Sequence, residues 1–383
     1  MNCNDLHKDG TVAIVGAGPA GLMLARILQM RGYAVTVVER DASPSSRSQG
    51  GSLDIRPSLG QRAIDAAGLT DVFAKASRCD ATGFKVIDSH GILLPNVGDE
   101  THEDAGPEID RGDLRQLLLA SLAPGTVVWA SAVTDVIRDP NGRWRINIAE
   151  QPDIIADIVV GADGMGSRVR RRLTSVAPQY TGQMMLAANI RRDLWHSSKI
   201  ADIVGQGSAM FAGSGKTIFV QRCARDLILV YYSLSVAEDW PKKAGLSLDD
   251  TESVLAVVRG SYADWSPALI DMLTQVEPGF HRWPLAVMPP QLTWDTQAGI
   301  TMIGDASHAM PPFTGKGVNL AMFDALELAD ALAANPGETV ATALANFEVT
   351  MQARTERETG ACLEVGRTFY GIEMTFEEVS SAI

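Results

Sequence analysis

A glycine pattern near the start of the chain, G-x-G-x-x-G from Gly16 to Gly21, constrains the fold more than any other feature. The β-branched apolar run Thr11–Val15 before it is typical of a strand buried on both faces of a parallel sheet. After it, Ala20–Arg31 carries apolar residues at helical spacing, and Ala34–Val38 is a second apolar run. The segment is therefore predicted to form a β-α-β unit.

Each glycine of this pattern has its own role in binding a dinucleotide. Gly16 permits a tight turn, Gly18 lets a pyrophosphate approach the backbone, and Gly21 allows close helix–strand packing. The N-terminus of the following helix offers N–H groups and a partial positive charge to phosphates. Glu39, at the end of the second strand, is placed to accept ribose hydroxyls. These parts together predict a Rossmann-like dinucleotide site, and a purely structural turn is the weaker alternative.

A second loop, Thr301–Asn319, indicates which dinucleotide binds. Asp305 follows a short strand and is placed to hydrogen-bond a polyol such as ribityl. The N–H groups of Gly315, Gly317 and Val318 can face a carbonyl or a phosphate at the start of a helix. A dehydrogenase does not need this distant loop, whereas FAD does. We therefore predict FAD, and a plain Gly/Pro turn that caps a helix is the alternative.

Composition and charge exclude several classes of protein. The net charge of -13 argues against nucleic-acid binding, which needs clustered Lys and Arg. The four cysteines form no CxxC pair, so that neither a disulfide framework nor a metal site is expected. The N-terminus has no apolar signal region, and no stretch approaches the ~20 apolar residues of a membrane span. A soluble, cytoplasmic protein without membrane or nucleic-acid partners is expected.

The rest of the chain predicts a mixed α/β fold. A Rossmann-like FAD-binding domain with a parallel sheet is interleaved with a mainly antiparallel substrate domain, because no clean linker separates them. Ile154–Val160 is expected to be one buried strand and Thr339–Glu364 a helix. The predicted boundaries are 1–75, 105–178 and 285–338 for the FAD-binding domain, 76–104 and 179–284 for the substrate domain, and 339–383 for a C-terminal helix.

Three motifs in this order resemble the flavoprotein aromatic hydroxylases of the para-hydroxybenzoate hydroxylase type. They are G-x-G-x-x-G at Gly16, Asp163-Gly164 and Gly304-Asp305, and they span almost the whole chain. The resemblance implies that Glu39 and Arg40 hold the adenosine ribose and its surroundings and that the C-terminal helix braces the two domains. It also implies that Arg111 contacts the flavin side, that Asp163-Gly164 contributes to the handling of FAD and NAD(P)H, and that Asp305 binds ribityl.

Within that family the chain is similar to the tetracycline-inactivating monooxygenases. The similar stretches are Gln49–Asp54, Pro107–Arg111 and Gly304–Asn319. They imply that Arg47, Asp54, Pro312 and Asn319 also lie near FAD. Apolar positions of the substrate pocket match Met210, Phe219, Pro312, Phe313 and Met374. The polar substrate contacts of those enzymes fall on Ala187, Ser208 and Leu229, which leaves tetracycline itself in doubt as the substrate.

The resemblance implies an FAD-dependent monooxygenase that hydroxylates a small, largely apolar or aromatic, tetracycline-like molecule. NAD(P)H would reduce FAD, O2 would form a flavin hydroperoxide, and antibiotic resistance would be one context for the activity. No catalytic side chain and no metal are expected, because the chemistry belongs to the flavin. A monomer is expected. A flavin reductase or dehydrogenase, or a non-catalytic FAD-containing drug-binding protein, are the alternatives.

Two further patterns are weaker. Gly213–Thr217 resembles the end of a P-loop, but residue 210 is methionine where the first glycine should stand, and a hairpin is expected there. His308, three residues after Asp305, is expected to hydrogen-bond the backbone rather than to act as an acid or base.

Overall fold

The computed structural model describes residues 10–46, 50–81, 83–95, 104–195, 199–334 and 339–376. A parallel sheet forms from five strands whose order is β16-β10-β1-β2-β6. These strands are β1 (Thr11–Val15), β2 (Ala34–Val38), β6 (Val127–Val128), β10 (Ile158–Gly161) and β16 (Ile300–Met302). The central strands β1 and β10 are almost entirely buried, as their continuous apolar runs predict.

A second sheet of six strands has the order β15-β11-β14-β13-β12-β4. It is antiparallel except where β12 pairs with β4. Its strands are β4 (Phe84–Asp88), β11 (Gln179–Asn189), β12 (Ser208–Gly213), β13 (Lys216–Arg222), β14 (Ile228–Ser235) and β15 (His281–Val287). The P-loop-like stretch is the turn between β12 and β13, so it lies in a hairpin as expected.

Two small antiparallel sheets complete the strands. One consists of β3 (Ser52–Asp54) and β5 (Glu108–Asp110), and the other of β7 (Val133–Arg138), β8 (Trp144–Ile148) and β9 (Ile154–Ala156). The prediction of one strand over Ile154–Val160 is wrong, because the chain changes sheets at Asp157. There the Asp157 carboxylate accepts hydrogen bonds from the backbone N–H and the hydroxyl of Thr11, both at 2.8 Å.

Twelve α-helices are found among the described residues. They are α1 (Pro19–Met30), α2 (Gly60–Ala66), α3 (Thr70–Ala76), α4 (Arg111–Ala120), α5 (Arg170–Leu173), α6 (Arg192–Trp195), α7 (Lys199–Val204), α8 (Thr251–Ser261), α9 (Pro267–Leu273), α10 (Asp305–His308), α11 (Gly317–Ala333) and α12 (Val340–Tyr370). None of them is long and apolar enough to cross a membrane. The long helix α12 begins at a Thr339 cap, packs against α11 and ends at Gly371, whose φ is +62°.

Two large hydrophobic cores follow from these layers. The first surrounds the parallel sheet with α1, α4 and α11, and the second fills the space between the six-stranded sheet and α8 and α9. The predicted fold class is confirmed: a parallel sheet, a mainly antiparallel sheet and a C-terminal helix are all present. The strand order places β1 and β10 side by side at the point where the chain reverses its direction across the parallel sheet.

Candidate functional site

The three sequence motifs meet at the carboxyl ends of the parallel strands. The glycine turn follows β1, Asp163 follows β10, and Gly304 and Asp305 follow β16. Open α/β sheets bind ligands in the crevice at such a reversal of strand order. A Cβ atom on Gly16 would lie 2.3 Å from the Ala162 carbonyl oxygen, so that the first two loops are in direct contact.

The space around the glycines agrees with the role predicted for each. Gly16 has φ +106°, and a Cβ on Gly21 would lie 2.1 Å from the Gly16 carbonyl oxygen. Beside Gly18, by contrast, nothing lies within 4 Å of the position that a Cβ would occupy. Pro19 is the first residue of α1, where a missing N–H costs nothing. The turn therefore leaves an open approach to the backbone at Gly18 and to the N-terminus of α1.

Glu39 is buried directly beneath this turn. One carboxylate oxygen accepts a hydrogen bond from the Ala17 N–H at 2.6 Å, and the other accepts one from the Asp41 N–H at 2.9 Å. A carboxylate has about four lone-pair sites, so each oxygen retains acceptor capacity for a ribose hydroxyl. Arg40, the next residue, is exposed at the rim.

Arg115 is a residue of this site that the sequence reasoning missed. Its buried guanidinium donates to the Ala17 carbonyl at 3.1 Å and to the Pro44 carbonyl at 2.8 Å. It also pairs with the Asp41 carboxylate at 3.4 Å. A signal was present, because Arg115 lies one helical turn after Arg111 and between leucines on the buried side of α4.

A second group of predicted residues joins β3 to the start of α11. The Asn319 side chain accepts a hydrogen bond from the Arg56 N–H and donates one to the Asp54 carbonyl, both at 2.8 Å. The Arg56 guanidinium contacts the Asp54 carboxylate at 3.2 Å and donates to the Thr314 carbonyl at 2.8 Å. Arg56, which is 4% exposed, was also missed. Gly315, with φ +66°, lies beside it.

Asp163 and Asp305 occupy different environments. One oxygen of Asp163 accepts a hydrogen bond from the Arg168 N–H at 2.6 Å, whereas its buried second oxygen has no partner among the described residues. Asp305 is exposed at the first turn of α10. Arg111 begins α4, and its N–H donates to the Gly51 carbonyl at 3.0 Å. Arg47 lies outside the described residues.

The expectation for His308 is wrong. Its Nε2 lies 2.6 Å from an oxygen of the buried Asp324 carboxylate, so its partner is an acid rather than the backbone. Asp324 lies on α11, sixteen residues later, and sequence spacing does not reveal that contact.

The predicted substrate residues lie on one face of the six-stranded sheet and on the loop opposite. Side chains alternate between the faces of a strand, and the other face fills the core against α8 and α9. Met210 pairs with Phe219 across β12 and β13, and both belong to an apolar cluster on the face that points away from α8 and α9. Phe313 and Met374 belong to an adjoining cluster, in which the Phe313 and Tyr370 rings stack at 4.0 Å. Pro312 is exposed at the edge of that loop.

The three positions that carry polar contacts in the similar enzymes also lie on this face. The strand register forms one cross-strand row of Ser208, Gln221, Leu229 and Asn189, and a second of Met210, Phe219, Tyr231, Ala187 and His281. Gln221 is the largest polar side chain of the first row and Tyr231 that of the second, and the sequence reasoning missed both.

Gln221 and Tyr231 lie where this face of the six-stranded sheet meets Gly51 and β3, on the side of the predicted FAD site. A Cβ on Gly51 would lie 2.5 Å from the Gln221 side-chain oxygen and 2.8 Å from the Tyr231 hydroxyl. Gln221 accepts from the Ser52 N–H at 3.0 Å and donates to the Ser52 carbonyl at 3.1 Å, which uses its amide in holding β3. Among the described residues, no partner hydrogen-bonds the Tyr231 hydroxyl.

A buried carboxylate lies behind Gln221. Burial raises the pKa of Glu108 to about 7, although a hydrogen bond with Ser52 and the charge of Arg78 lower it in part. Its carboxylate lies 3.4 Å from the Gln221 amide nitrogen and 3.7 Å from the Arg78 guanidinium. Nearby, burial also raises the pKa of Cys223 to about 12, so that this thiol stays protonated near neutral pH.

These residues fit an extended dinucleotide. The open space at Gly18 suits a pyrophosphate, Glu39 suits a ribose, and Asp163 and Asp305 follow neighbouring strands at the same edge of the parallel sheet. No cluster of three or more potential metal ligands occurs among the described residues. The polar groups at the site are carboxylate oxygens, which can accept from sugar hydroxyls, and backbone N–H groups, which can donate to phosphates.

Comparison with known proteins shows what the whole chain is similar to. A family model described as FAD binding domain matches residues 9–232 and 290–357. Monooxygenase penA of Penicillium thymicola is 30% identical over 372 residues, which cover 84% of this chain and 84% of that protein. A 3-amino-4-hydroxybenzoate 2-monooxygenase of Streptomyces cremeus is 27% identical over 344 residues, covering 87% and 81%. The crystal structure of tetracycline destructase Tet(55) aligns with a TM-score of 0.72 at 19% identity, over 95% of this chain and 91% of that one, which shows a shared fold.

Proposed function

Because the chain belongs to the FAD binding domain family and is an FAD-dependent monooxygenase, we propose that it hydroxylates a small, largely apolar or aromatic molecule with NAD(P)H and O2. The observation that carries this proposal is the sheet face of Met210, Phe219 and Tyr231 opposite Phe313. This face combines an apolar surface with the Tyr231 hydroxyl, which lies beside Gly51 next to the predicted FAD site.

We assign the cofactor-binding residues as follows. The phosphate and ribose portion lies against Gly16, Gly18, Gly21, Glu39 and Arg40, with Arg115 bracing the turn from below. The ribityl and flavin portion lies against Asp305 and the backbone of the loop that begins α11. The residues assigned to that portion are Arg47, Asp54, Arg111, Asp163, Pro312, Gly315, Gly317, Val318 and Asn319.

FAD supplies the activation of O2 and the transfer of one oxygen atom. The protein supplies orientation and a water-excluding surface, which fits the apolar clusters on this face. Exclusion of water matters, because it prevents the side reaction in which activated oxygen is lost as H2O2 before it reaches the substrate. The sequence has no second G-x-G-x-x-G pattern, so we place NAD(P)H transiently against the FAD crevice.

We propose that substrate lies between Tyr231 and the loop around Phe313. The Phe219 and Tyr231 rings are 6.0 Å apart and tilted, which leaves an aromatic surface for a planar molecule. The name of the Streptomyces cremeus relative specifies a small benzoate as its substrate. A large polyoxygenated molecule such as a tetracycline finds fewer polar partners here, because Ala187 and Leu229 offer none. A tetracycline-like substrate, and with it a role in antibiotic resistance, is therefore the weaker form of the proposal.

We also propose the domain division given by the sequence, with residues 1–75, 105–178 and 285–338 around FAD and residues 76–104 and 179–284 around substrate. Residues 339–383 would bridge the two. In support, α12 packs against both α11 and β13.

The test is oxidation of NADH and NADPH together with O2 uptake by the purified protein. A panel of aminohydroxybenzoates, other phenols, hydroxyquinolones and tetracyclines is added one compound at a time. We expect one aromatic class to stimulate uptake and to yield a product heavier by one oxygen atom. Oxidation of the nicotinamide without a hydroxylated product would favour a reductase. Binding without either reaction would favour a drug-binding protein.

A further inference from the structure

A buried cluster of charges lies behind the turn that carries Asp305. His308, at the end of α10, contacts Asp324 of α11 at 2.6 Å, and Asp324 contacts Arg354 of α12 at 2.8 Å. Arg354 continues to Glu327, which is one turn after Asp324 on α11. The exposed fractions of His308 and Asp324 are 1% and 0%. Three helices thus converge on one carboxylate that water does not reach.

One oxygen of Asp324 contacts both ends of the turn from Gly304 to His308. It accepts a hydrogen bond from the Gly304 N–H at 2.9 Å, and the same oxygen faces His308 Nε2. Asp305 lies between these two anchors. Gly304 has φ +59° and ψ -144°, and a Cβ there would lie 3.0 Å from the Ala321 Cβ. The turn is therefore held in a conformation that glycine tolerates and most residues do not.

The charges balance only in one protonation state. Asp324 and Glu327 contribute two negative charges and Arg354 one positive charge, so His308 must carry a proton for the cluster to be neutral. An uncompensated charge in a buried site is strongly destabilising. Burial lowers the pKa of His308, but the charges of Asp324 and Asp305 and the hydrogen bond with Asp324 outweigh it, so the net direction is upward.

We propose that His308, Asp324 and Arg354 are positioning residues that hold the Asp305 turn ready for FAD, and that FAD is released when His308 loses its proton. The proposal rests on the assignment of Asp305 to FAD but not on any substrate. Deprotonation leaves Asp324 with one cation fewer and weakens the bond at the end of α10, because the neutral imidazole keeps its proton on Nε2 but no longer supplies a charge-assisted hydrogen bond. The groups that face the imidazole are Asp324 from α11 and Asp305 from its own helix, with Arg354 and Glu327 one contact further.

The experiment measures the FAD dissociation constant of the apoprotein by quenching of flavin fluorescence between pH 5.5 and 9.5. We expect the wild-type constant to rise about 10-fold toward high pH, as for the loss of one hydrogen bond to a charged group. His308→Gln keeps an N–H donor without a charge, and its constant should be raised at low pH and flat across the range. A merely structural role would lower the apoprotein melting temperature and leave the pH profile of FAD binding unchanged.

Two further variants keep the proposal falsifiable if His308→Gln does not fold. Glu327→Gln removes a negative charge from the partly exposed end of the cluster, so His308 should lose its proton, and the protein its FAD, at a lower pH. Glu364→Gln, on the exposed side of α12, should leave the midpoint unchanged. A wild-type constant that does not change with pH would overturn the proposal, as would identical midpoints in Glu327→Gln and wild type. Asp305→Asn tests separately the assumption that Asp305 binds FAD. Unchanged FAD affinity in this variant would reject that role, whatever the substrate assays show.

Discussion

The two halves of the site are specified in different ways. On the cofactor side, backbone atoms do most of the work: the Gly16 and Gly21 contacts, the Ala17 N–H on Glu39 and the Asn319 bridge all involve the main chain. On the substrate side, the backbone is an ordinary antiparallel sheet, and only the side chains on one face distinguish it. Changes on the first side should therefore remove FAD or the fold, and changes on the second should alter only substrate use.

Gly21→Ala should produce the largest effect. The new Cβ would lie 2.1 Å from the Gly16 carbonyl oxygen, a backbone atom that cannot move without shifting β1 or α1. We expect a loss of ~3 kcal/mol or more in the free energy of unfolding, as for severe overpacking in a core. Thermal unfolding of the apoprotein and the yield of yellow protein measure it.

Gly18→Ala is the matched control, because its Cβ would meet nothing within 4 Å. The apoprotein should unfold close to the wild-type temperature, since the helix cap changes by only about 1 kcal/mol or less. FAD affinity should nevertheless fall more than ~10-fold, because the methyl group enters the space that the pyrophosphate needs. Unchanged affinity would mean that the pyrophosphate does not pass over Gly18.

Arg115→Met should come next in size. It keeps the length of the side chain but removes donors to the Ala17 and Pro44 carbonyls and leaves Asp41 without this cation. We expect FAD binding to weaken by about 2 kcal/mol, roughly 30-fold, as for the loss of hydrogen bonds to a charged group. Arg171→Met, at an exposed position, is the control. Equal FAD titration curves for both variants would remove Arg115 from the site.

The same difference explains what the sequence could predict. The glycine turn was predictable because its backbone conformation demands glycine at fixed spacing, whereas the roles of Glu39 and Asp305 toward a dinucleotide stay predictions. Arg115 and Arg56 escaped notice because their partners are carbonyl groups contributed by distant loops. The contact of His308 with Asp324 depends on how α10 meets α11, which no local pattern encodes.

On the substrate side, sequence reasoning could place apolar residues but not the face on which they lie. Met210 and Phe219 were expected from the resemblance, whereas Tyr231 became apparent only through the register of β13 with β14. The change of sheet at Asp157 was hidden for a similar reason, since a continuous apolar run reads as one strand until its pairing partners are known.

Tyr231→Phe should have a smaller and more selective effect. Removal of the hydroxyl beside Gly51 should reduce kcat/KM for the best substrate about tenfold, or ~1.4 kcal/mol, through KM. The FAD dissociation constant should not change. Tyr232→Phe is the control from the opposite face, where the hydroxyl donates to the Leu273 carbonyl at 2.5 Å. That variant should lose stability without a change in KM. If KM changed in Tyr232→Phe and not in Tyr231→Phe, the substrate would lie on the opposite face of the sheet.

Glu108→Gln should have the smallest effect and tests the boundary between the two sides. Burial raises the pKa of this carboxyl from 4.5 to about 7, so the folded protein holds a proton that the unfolded chain releases. Its contribution to stability is therefore present at acid pH and is lost as pH rises from 4.5 to about 7. The glutamine variant carries no such penalty, so its stability relative to wild type should increase as pH rises from 4.5 to 8. Urea unfolding at the two pH values measures the difference. A variant less stable at pH 8 would mean that the contact with Arg78 outweighs burial and that Glu108 is charged where β5 meets Gln221.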